Sequence, residues 1–146
     1  MIDFRYTSLS DCKLIEFEKN HRLMGNITSI NELKEVPFEI KRVYYLYDIP
    51  GGESRGGHAH KGLQQLIISG SGSFDLELSD GVSEMKIHLA RPYQGVLLPP
   101  GIWRELINFS SGAICLVLAS EVYLEEDYIR NYEEFRDSKL LPPSQR

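Results

Sequence analysis

Short segments in which hydrophobic and polar residues alternate run through most of the chain. Residues 73–78 place Phe or Leu at every second position, as expected for a β-strand with one buried and one solvated face. Asp80-Gly81 follows, a dipeptide typical of a hairpin turn, and residues 85–89 alternate again. Residues 95–98 end at Pro99-Pro100-Gly101, which a paired strand cannot cross because proline has no N–H to donate. The pattern therefore predicts antiparallel strands joined by tight turns.

Similar segments elsewhere bring the predicted strands to about ten. Such closely spaced strands favour an antiparallel β-barrel or jelly roll. An immunoglobulin-type sandwich fits less well, because the sequence has no Cys…Trp…Cys framework. The further predicted strands cover residues 13–17, 25–30, 40–47, 65–69, 103–109 and 113–119.

Helical periodicity is confined to the end of the chain. Tyr128, Ile129, Tyr132 and Phe135 fall on one stripe at helical spacing. The acidic residues 125–127 precede this stripe and suit the first turn of a helix, where the helix dipole favours negative charge. We therefore expect one short C-terminal helix that packs on the barrel.

The length of 146 residues fits a single domain with one sizeable core. We expect this domain to span residues 1–146. About residues 1–24 form its N-terminal strand region, and about residues 137–146, ending in Pro142-Pro143-Ser144-Gln145-Arg146, are predicted to be a flexible tail.

Composition excludes several classes of protein. The chain has 16 Lys and Arg against 21 Asp and Glu, a net charge of -5, which argues against a general nucleic-acid binder. No apolar run reaches the roughly 18 residues needed to span a bilayer, and Met1 to Tyr6 do not resemble a signal peptide. Cys115 lies in an apolar run and, like the distant Cys12, is expected to be a reduced thiol. A cytoplasmic protein without membrane or nucleic-acid partners is the expectation.

The segment Arg55-Gly56-Gly57-His58-Ala59-His60-Lys61 contains two of the chain's four histidines. In a strand, residues two apart share a face, so His58 and His60 point the same way. Paired imidazoles on the concave face of a barrel serve either a metal or acid–base chemistry. The alternative is two unrelated surface histidines.

The spacing around these histidines resembles the two motifs of the cupin family. In that family a Glu of the first motif and a His of the second join the paired histidines in a metal site. Here Gln65 stands at the Glu position and Arg104 at the His position. Gln is a poor ligand, and a guanidinium has no lone pair to donate, so we expect no metal cofactor. The matching motif positions are Gly52, His58, His60, Gly72, Pro99, Gly101 and Asn108.

Without a metal, the paired histidines suit general acid–base catalysis near neutral pH. Nearby cations could hold an anion such as a diphosphate. Tyr44 or Tyr45 could supply a phenol as proton donor, and only one of them can face the cavity of a regular strand; we favour Tyr45. The candidate anion-binding residues are Arg42, Arg55, Lys61 and Arg104.

A closer resemblance covers about residues 27–135. It is carried by Ile40-Lys41-Arg42-Val43-Tyr44-Tyr45, by Arg55-Gly56-x-His58-Ala59-His60-Lys61 with Gln65, by Trp103-Arg104-Glu105, by Phe109-Ser110-Ser111, by Val117-Leu118-Ala119-Ser120 and by Asp127-Tyr128-Ile129-Arg130-x-Tyr132. These segments resemble the dTDP-sugar 3,4-ketoisomerase family, and residues 1 to about 24 depart most from it.

That resemblance implies a cupin fold, a homodimer with exchanged N-terminal strands, and no metal. It implies the substrate dTDP-4-keto-6-deoxy-D-glucose, a 3-keto product formed through an enediol, and a following aminotransferase step towards a dTDP-3-amino-3,6-dideoxyhexose for a glycan such as lipopolysaccharide. His58 matches the family's base. His60 would orient it or shuttle protons, and Tyr45 would be a proton donor. Arg42, Tyr44, Arg55, Lys61, Gln65 and Arg104 would bind the substrate.

Arg104 resembles the branch of this family with a gluco-configured product, but its partner position near Met24 departs from both branches, so the configuration at C4 stays open. Three other functions also stay open. A metal-dependent cupin enzyme is disfavoured by Gln65 and Arg104, and a dTDP-sugar 3,5-epimerase by the absence of a recognisable His–Asp dyad. A non-catalytic sugar-nucleotide binding module would not need two imidazoles.

Overall fold

The computed structural model describes residues 2–142, which fold into two five-stranded antiparallel sheets and a small hairpin. The first sheet has the order β1-β9-β6-β11-β4 and the second β12-β5-β10-β7-β8, while β2 pairs with β3. The expected antiparallel jelly roll of the cupin type with a short C-terminal helix is confirmed. The strands are β1 (Lys13–Glu16), β2 (Asn20–Arg22), β3 (Gly25–Ile27), β4 (Arg42–Leu46), β5 (Arg55–His60), β6 (Gln65–Ser71), β7 (Phe74–Ser79), β8 (Glu84–Leu89), β9 (Gln94–Leu98), β10 (Trp103–Ile107), β11 (Ile114–Ala119) and β12 (Tyr128–Ile129).

The main hydrophobic core lies between the two sheets. Phe74, Leu76 and Leu78 of β7 meet Ile67 of β6 and Val117 of β11 there, all buried. The first sheet is buried on its outer face as well, where Leu66 and Ile68 pack against Phe17, Val36 and Phe38. This second layer explains why β6 reads as a continuous apolar run, whereas β7 alternates.

The C-terminal helix begins later than the sequence pattern predicts. Residues Glu125–Asp127 form a 3-10 turn, and Tyr128 and Ile129 form β12, which pairs with His60 and Ala59 of β5. The helix, α1, spans Tyr132–Ser138 and begins after Asn131, whose side chain accepts a hydrogen bond from the N–H of Glu134. The prediction of a helix from residue 125 is therefore wrong. The spacing of Tyr128 and Ile129 fits a helix, but their backbone pairs with β5 as a strand. No helix within residues 2–142 is long and apolar enough to cross a membrane.

The expected tail is ordered at its start. Helix α1 continues to Ser138, and the next residue, Lys139, is buried. The Lys139 Nζ donates to the carbonyl oxygens of Phe4, Thr7 and Gly101 and to the Thr7 hydroxyl, at 2.5 to 2.9 Å. The prediction of a flexible tail from residue 137 is therefore wrong at its start, and residues 143–146 lie outside the described residues.

Candidate active site

A cavity of about 360 Å³ is lined by residues of both sheets. Its apolar part comes from alternate residues of the facing strands: Leu46, Ile67, Leu106, Cys115 and Val117. Burial raises the pKa of the Cys115 thiol to about 12, which agrees with an inert, buried thiol. The polar side chains of the wall are Arg42, Tyr44, Arg55, His58, Gln65, Arg104, Tyr128 and Arg130.

His58 faces this cavity from β5. Its Nδ1 lies 3.0 Å from the carbonyl oxygen of Gly56, an acceptor, so Nδ1 carries the proton and Nε2 keeps its lone pair. The backbone at Gly56 has a φ of 98°, and a Cβ there would lie 3.0 Å from the Arg104 carbonyl oxygen. Glycine at 56 therefore permits both the close approach of β10 and the bond that fixes the His58 ring.

His60, two residues further along β5, is fully buried and is not among the residues that line this cavity. The two rings are perpendicular with centroids 4.8 Å apart. His60 Nδ1 lies 2.9 Å from Oδ2 of Asp127, so it donates to this carboxylate and also leaves Nε2 as a lone pair. The sequence shows no recognisable His–Asp dyad, but the fold forms a His–Asp pair here. The sequence pattern assigns Asp127 to a helix, and the contact spans 67 positions.

Both histidines are neutral at neutral pH. Burial is the main cause that lowers the pKa of His58, to about 3, and the positive charge of Arg104 lowers it further. Burial and Arg104 likewise lower the pKa of His60, to about 4, against the opposing hydrogen bond to Asp127. Because both imidazoles are unprotonated at neutral pH, both can accept a proton there.

Arg104 of β10 lies directly across from His58 of β5, with 1% of its surface exposed. Its guanidinium donates to the side-chain oxygen of Gln65 and, at 3.0 Å, to the carbonyl oxygen of Ile102. A fixed cation here opposes the approach of a metal cation to His58. Among residues 2–142 no three His, Cys, Asp or Glu side chains cluster in a way that could hold a metal ion.

Strand β4 places Tyr44, and not Tyr45, in the cavity. Tyr44 lines it together with Arg42 and Leu46, whereas Tyr45 points to the opposite face, is 58% exposed and contacts the Tyr47 ring. The preference for Tyr45 is therefore wrong, because strand alternation exposes the odd-numbered residues of β4 on the outside.

The remaining expected site residues lie on two different cavities. Arg42, Arg55, Gln65 and Arg104 surround the same cavity as His58. Lys61 does not join them. It lies beyond the end of β5, on a second cavity on the far side of His60. The expectation that Lys61 shares the site with the arginines is not met, because the chain turns away after His60.

Several buried polar atoms near the cavity have no hydrogen-bond partner within the described part of the chain. They are Nε and one terminal nitrogen of Arg42, Nε of Arg104 and Nε2 of both His58 and His60. Buried polar groups in folded proteins are nearly always hydrogen-bonded, so such a cluster indicates the place of a polar ligand. The donors on Arg42 suit an anion and the imidazole nitrogens suit a hydroxyl group.

A sequence profile described as "FdtA: WxcM-like, C-terminal" matches residues 10–140. The chain belongs to this family. The TDP-4-oxo-6-deoxy-alpha-D-glucose-3,4-oxoisomerase of Aneurinibacillus thermoaerophilus is 44% identical to it over 124 residues, 85% of this chain and 89% of the relative.

Two solved structures resemble this FdtA family member in fold and sequence. A 3,4-ketoisomerase from Helicobacter canadensis has 45% identity and a TM-score of 0.85, covering 87% of this chain and 96% of the other. The sugar 3,4-ketoisomerase QdtA from Thermoanaerobacterium thermosaccharolyticum, in complex with TDP, has 40% identity and a TM-score of 0.86, covering 88% of this chain and 94% of the other.

Three further residues of the FdtA family member lie at the site and are not predicted to do so by the sequence pattern: Asp127, Tyr128 and Arg130. The Tyr128 ring lies 4.9 Å from that of His58 and 4.4 Å from that of His60. Arg130 stacks on Tyr128 at 4.1 Å and is held by Glu125 at 2.8 and 2.9 Å. The sequence does contain a signal for this strand: Tyr128 and Arg130 alternate with the apolar Ile129, a pattern that fits a strand as well as a helix.

Proposed function

We propose that this chain is a metal-independent 3,4-ketoisomerase that converts dTDP-4-keto-6-deoxy-D-glucose into its 3-keto isomer. The observation that carries the proposal is His58, whose Nε2 lone pair borders a cavity rimmed by Arg42, Arg55 and Arg130. The relatives at 40 to 45% identity are named as 3,4-oxoisomerase or 3,4-ketoisomerases; one is named for TDP-4-oxo-6-deoxy-alpha-D-glucose and another is in complex with TDP, which supports the choice of substrate.

The C3 hydrogen of this substrate is acidic because the neighbouring C4 is a ketone. In the proposal His58 Nε2 takes this proton, and the electron pair forms the enediolate. His58 then returns a proton to C4, which leaves the ketone at C3. The diphosphate of the substrate places negative charge near the arginines, which offsets the effect of Arg104 and makes the imidazole more basic than in the free enzyme.

The two sugar oxygens must also exchange a proton. His60, with a second Nε2 lone pair, takes the proton from the C3 hydroxyl and gives it to the C4 oxygen. Tyr44 can donate a hydrogen bond to the developing oxyanion while keeping its proton, as a preorganised donor should. Atoms and charges balance, because one proton moves between the carbons and one between the oxygens.

The nucleotide end of the substrate is assigned to the arginines. Arg42 brings buried, unused donors, and it stacks on the Tyr44 and Tyr123 rings at 5.1 and 5.7 Å. Guanidinium groups recognise phosphate oxygens through paired hydrogen bonds. The 3-keto product is then a substrate for an aminotransferase that installs an amine at C3. A cytoplasmic location is part of the proposal, since the free thiols of Cys12 and Cys115 suit a reducing compartment.

A homodimer with exchanged N-terminal strands also belongs to the proposal. Leu23 and Met24, at the tip of the β2–β3 hairpin, are 102% and 101% exposed. Val43 and Tyr45 expose apolar surface on β4, an edge strand of the first sheet. Such exposed apolar surface favours association with a second copy of the chain. Light scattering would give the mass of a dimer, and a monomer at all concentrations would contradict this part.

The decisive experiment incubates the protein with dTDP-4-keto-6-deoxyglucose in deuterium oxide and EDTA and follows the sugar by NMR. We expect a 3-keto product with deuterium at C4. A product that keeps its C4 ketone and gains deuterium at C3 and C5 would indicate 3,5-epimerase chemistry instead. Binding of the nucleotide sugar without isotope exchange would reduce the protein to a binding module. Loss of turnover in EDTA, restored by a divalent ion, would overturn metal independence.

A further inference from the structure

Residues 2–142 contain two His–Asp pairs, each joined through the Nδ1 atom of the imidazole. In one, His60 Nδ1 lies 2.9 Å from Asp127 Oδ2, and the His60 ring centroid lies 4.8 Å from that of His58. In the other, His88 Nδ1 lies 2.7 Å from Asp75 Oδ1, on the exposed surface of strands β7 and β8. The side chain of His60 is fully buried, whereas that of His88 is 63% exposed. The first pair therefore needs an explanation that the second does not.

Asp127 is fixed from several sides. Its Oδ1 accepts the N–H of Gly62 at 2.7 Å, and its backbone carbonyl accepts the N–H of Lys61 at 2.9 Å. Gly62 comes so close that a Cβ there would lie 3.3 Å from Oδ1. The second carboxylate oxygen is thereby aimed at His60, and rotation of the carboxylate would break two bonds.

The carboxylate also stays ionised. Burial alone would raise the pKa of Asp127, but the hydrogen bonds from His60 and Gly62 lower it below its ordinary value. The side chain is 16% exposed, on a cavity of about 580 Å³ that lies on the other side of His60 and Tyr128 from His58. A carboxylate in contact with solvent accepts from Nδ1–H but has no proton to give it.

We propose that Asp127 is the positioning residue that holds His60 in the Nδ1–H tautomer, so that its Nε2 can take and return a hydroxyl proton of the sugar. This inference rests on the proposed ketoisomerase reaction. The proton leaves the C3 hydroxyl for Nε2, His60 becomes an imidazolium paired with the carboxylate, and Nε2 then releases the proton to the C4 oxygen. Asp127 keeps its charge throughout and contacts no reacting atom.

The test is Asp127→Asn, which keeps the shape of the side chain. Its Oδ1 can still accept from Gly62, but its NH₂ group then faces His60 and requires Nδ1 to accept, which moves the ring proton to Nε2. We expect kcat to fall by about 100-fold or more, with the affinity for TDP unchanged. Long-range ¹H–¹⁵N spectra should show the His60 proton moving from Nδ1 to Nε2.

The matched control is Asp75→Asn, which makes the same change in the His88 pair. It should leave kcat unchanged, because His88 is remote from the cavity. A folded Asp127→Asn protein with the kcat of the wild type would overturn the inference. If that variant does not fold, the wild-type spectrum decides, because a His60 proton on Nε2 contradicts the proposal directly. Absence of isomerisation by the wild type would instead overturn the proposed function, whatever the tautomer of His60.

Discussion

Gln65 donates from Nε2 to the hydroxyl oxygen of Tyr44 at 3.0 Å, while its own side-chain oxygen accepts from Arg104. The guanidinium can only donate, so it fixes the orientation of the Gln65 amide. The amide in turn makes the Tyr44 oxygen an acceptor and leaves the phenol proton free to point into the cavity. The chain Arg104–Gln65–Tyr44 therefore presents one hydrogen-bond donor to a bound substrate.

Tyr44→Phe should lower kcat by about 100-fold, because it removes a donor aimed at the developing oxyanion. Tyr45→Phe is the matched control. It changes the neighbouring residue on the outer face of β4 and should leave kcat as it is. Steady-state kinetics on the two purified variants distinguish them. Equal losses would contradict the assignment of Tyr44 to the site.

Gln65→Glu tests the orientation of the phenol proton. A carboxylate can accept from Arg104 as Gln does, but it would also accept from Tyr44 and so take the proton away from the substrate. We expect kcat to fall about 10-fold, which corresponds to one misdirected hydrogen bond. Gln64→Glu places the same new charge one position earlier, outside the His58 cavity, and should have little effect.

His58→Asn should abolish isomerisation while nucleotide binding persists. Asn can still donate to the Gly56 carbonyl, so the local backbone is preserved, but it has no basic nitrogen. The expected loss in kcat is about 1000-fold or more. Calorimetry with TDP should give the affinity of the wild type. Turnover that survives in this variant would require a different base.

Local patterns in the sequence predict most of the strands, but they do not predict which face of every strand is buried. The alternation of Phe74, Leu76 and Leu78 predicts both β7 and its buried face. Strand β4 has aromatic or aliphatic residues on both faces, so its alternation cannot say which face is inside. The pairing of Tyr44 with the buried Val117 of β11 decides it.

Asp127 is the harder case. The acidic run 125–127 fits the start of a helix equally well, and the local sequence contains no sign of His60. The contact exists because β12 pairs with β5, a tertiary interaction between distant segments. Side chains brought together by such pairing are visible in the fold and not in the spacing of residues.

The acid limb of the pH–rate profile should lie unusually low. With pKa values lowered to about 3 for His58 and about 4 for His60, both imidazoles stay unprotonated well below pH 6. The kcat/KM of the free enzyme should therefore stay level from neutral pH to about pH 5 and fall below that. Arg104→Met removes a cation that lowers both pKa values, so it should move the acid limb upwards. An unchanged limb would contradict the role of Arg104.

The same groups link stability to pH. In the unfolded chain each His binds a proton near pH 6.5, whereas the folded protein resists protonation until about pH 4 or 3. The unfolded state therefore binds more protons across this window, and the free energy of unfolding must fall as the pH falls from 6.5. Urea unfolding at a series of pH values should show this slope, and His58→Asn should reduce it.

Lys139→Met should destabilise the fold without touching the cavity. The Nζ of Lys139 joins the residues after α1 to Phe4 and Thr7 near the N-terminus and to Gly101, whose own N–H donates to the His60 carbonyl. Met fills the same space but leaves several buried oxygens without a donor, which costs about 3 kcal/mol of unfolding free energy. In a chain of this size that corresponds to a fall in Tm of about 10 °C.

Lys34→Met, at a side chain that is 77% exposed, is the control and should leave Tm unchanged. Equal Tm values for the two variants would mean that the Lys139 ammonium does not hold the two ends of the chain together.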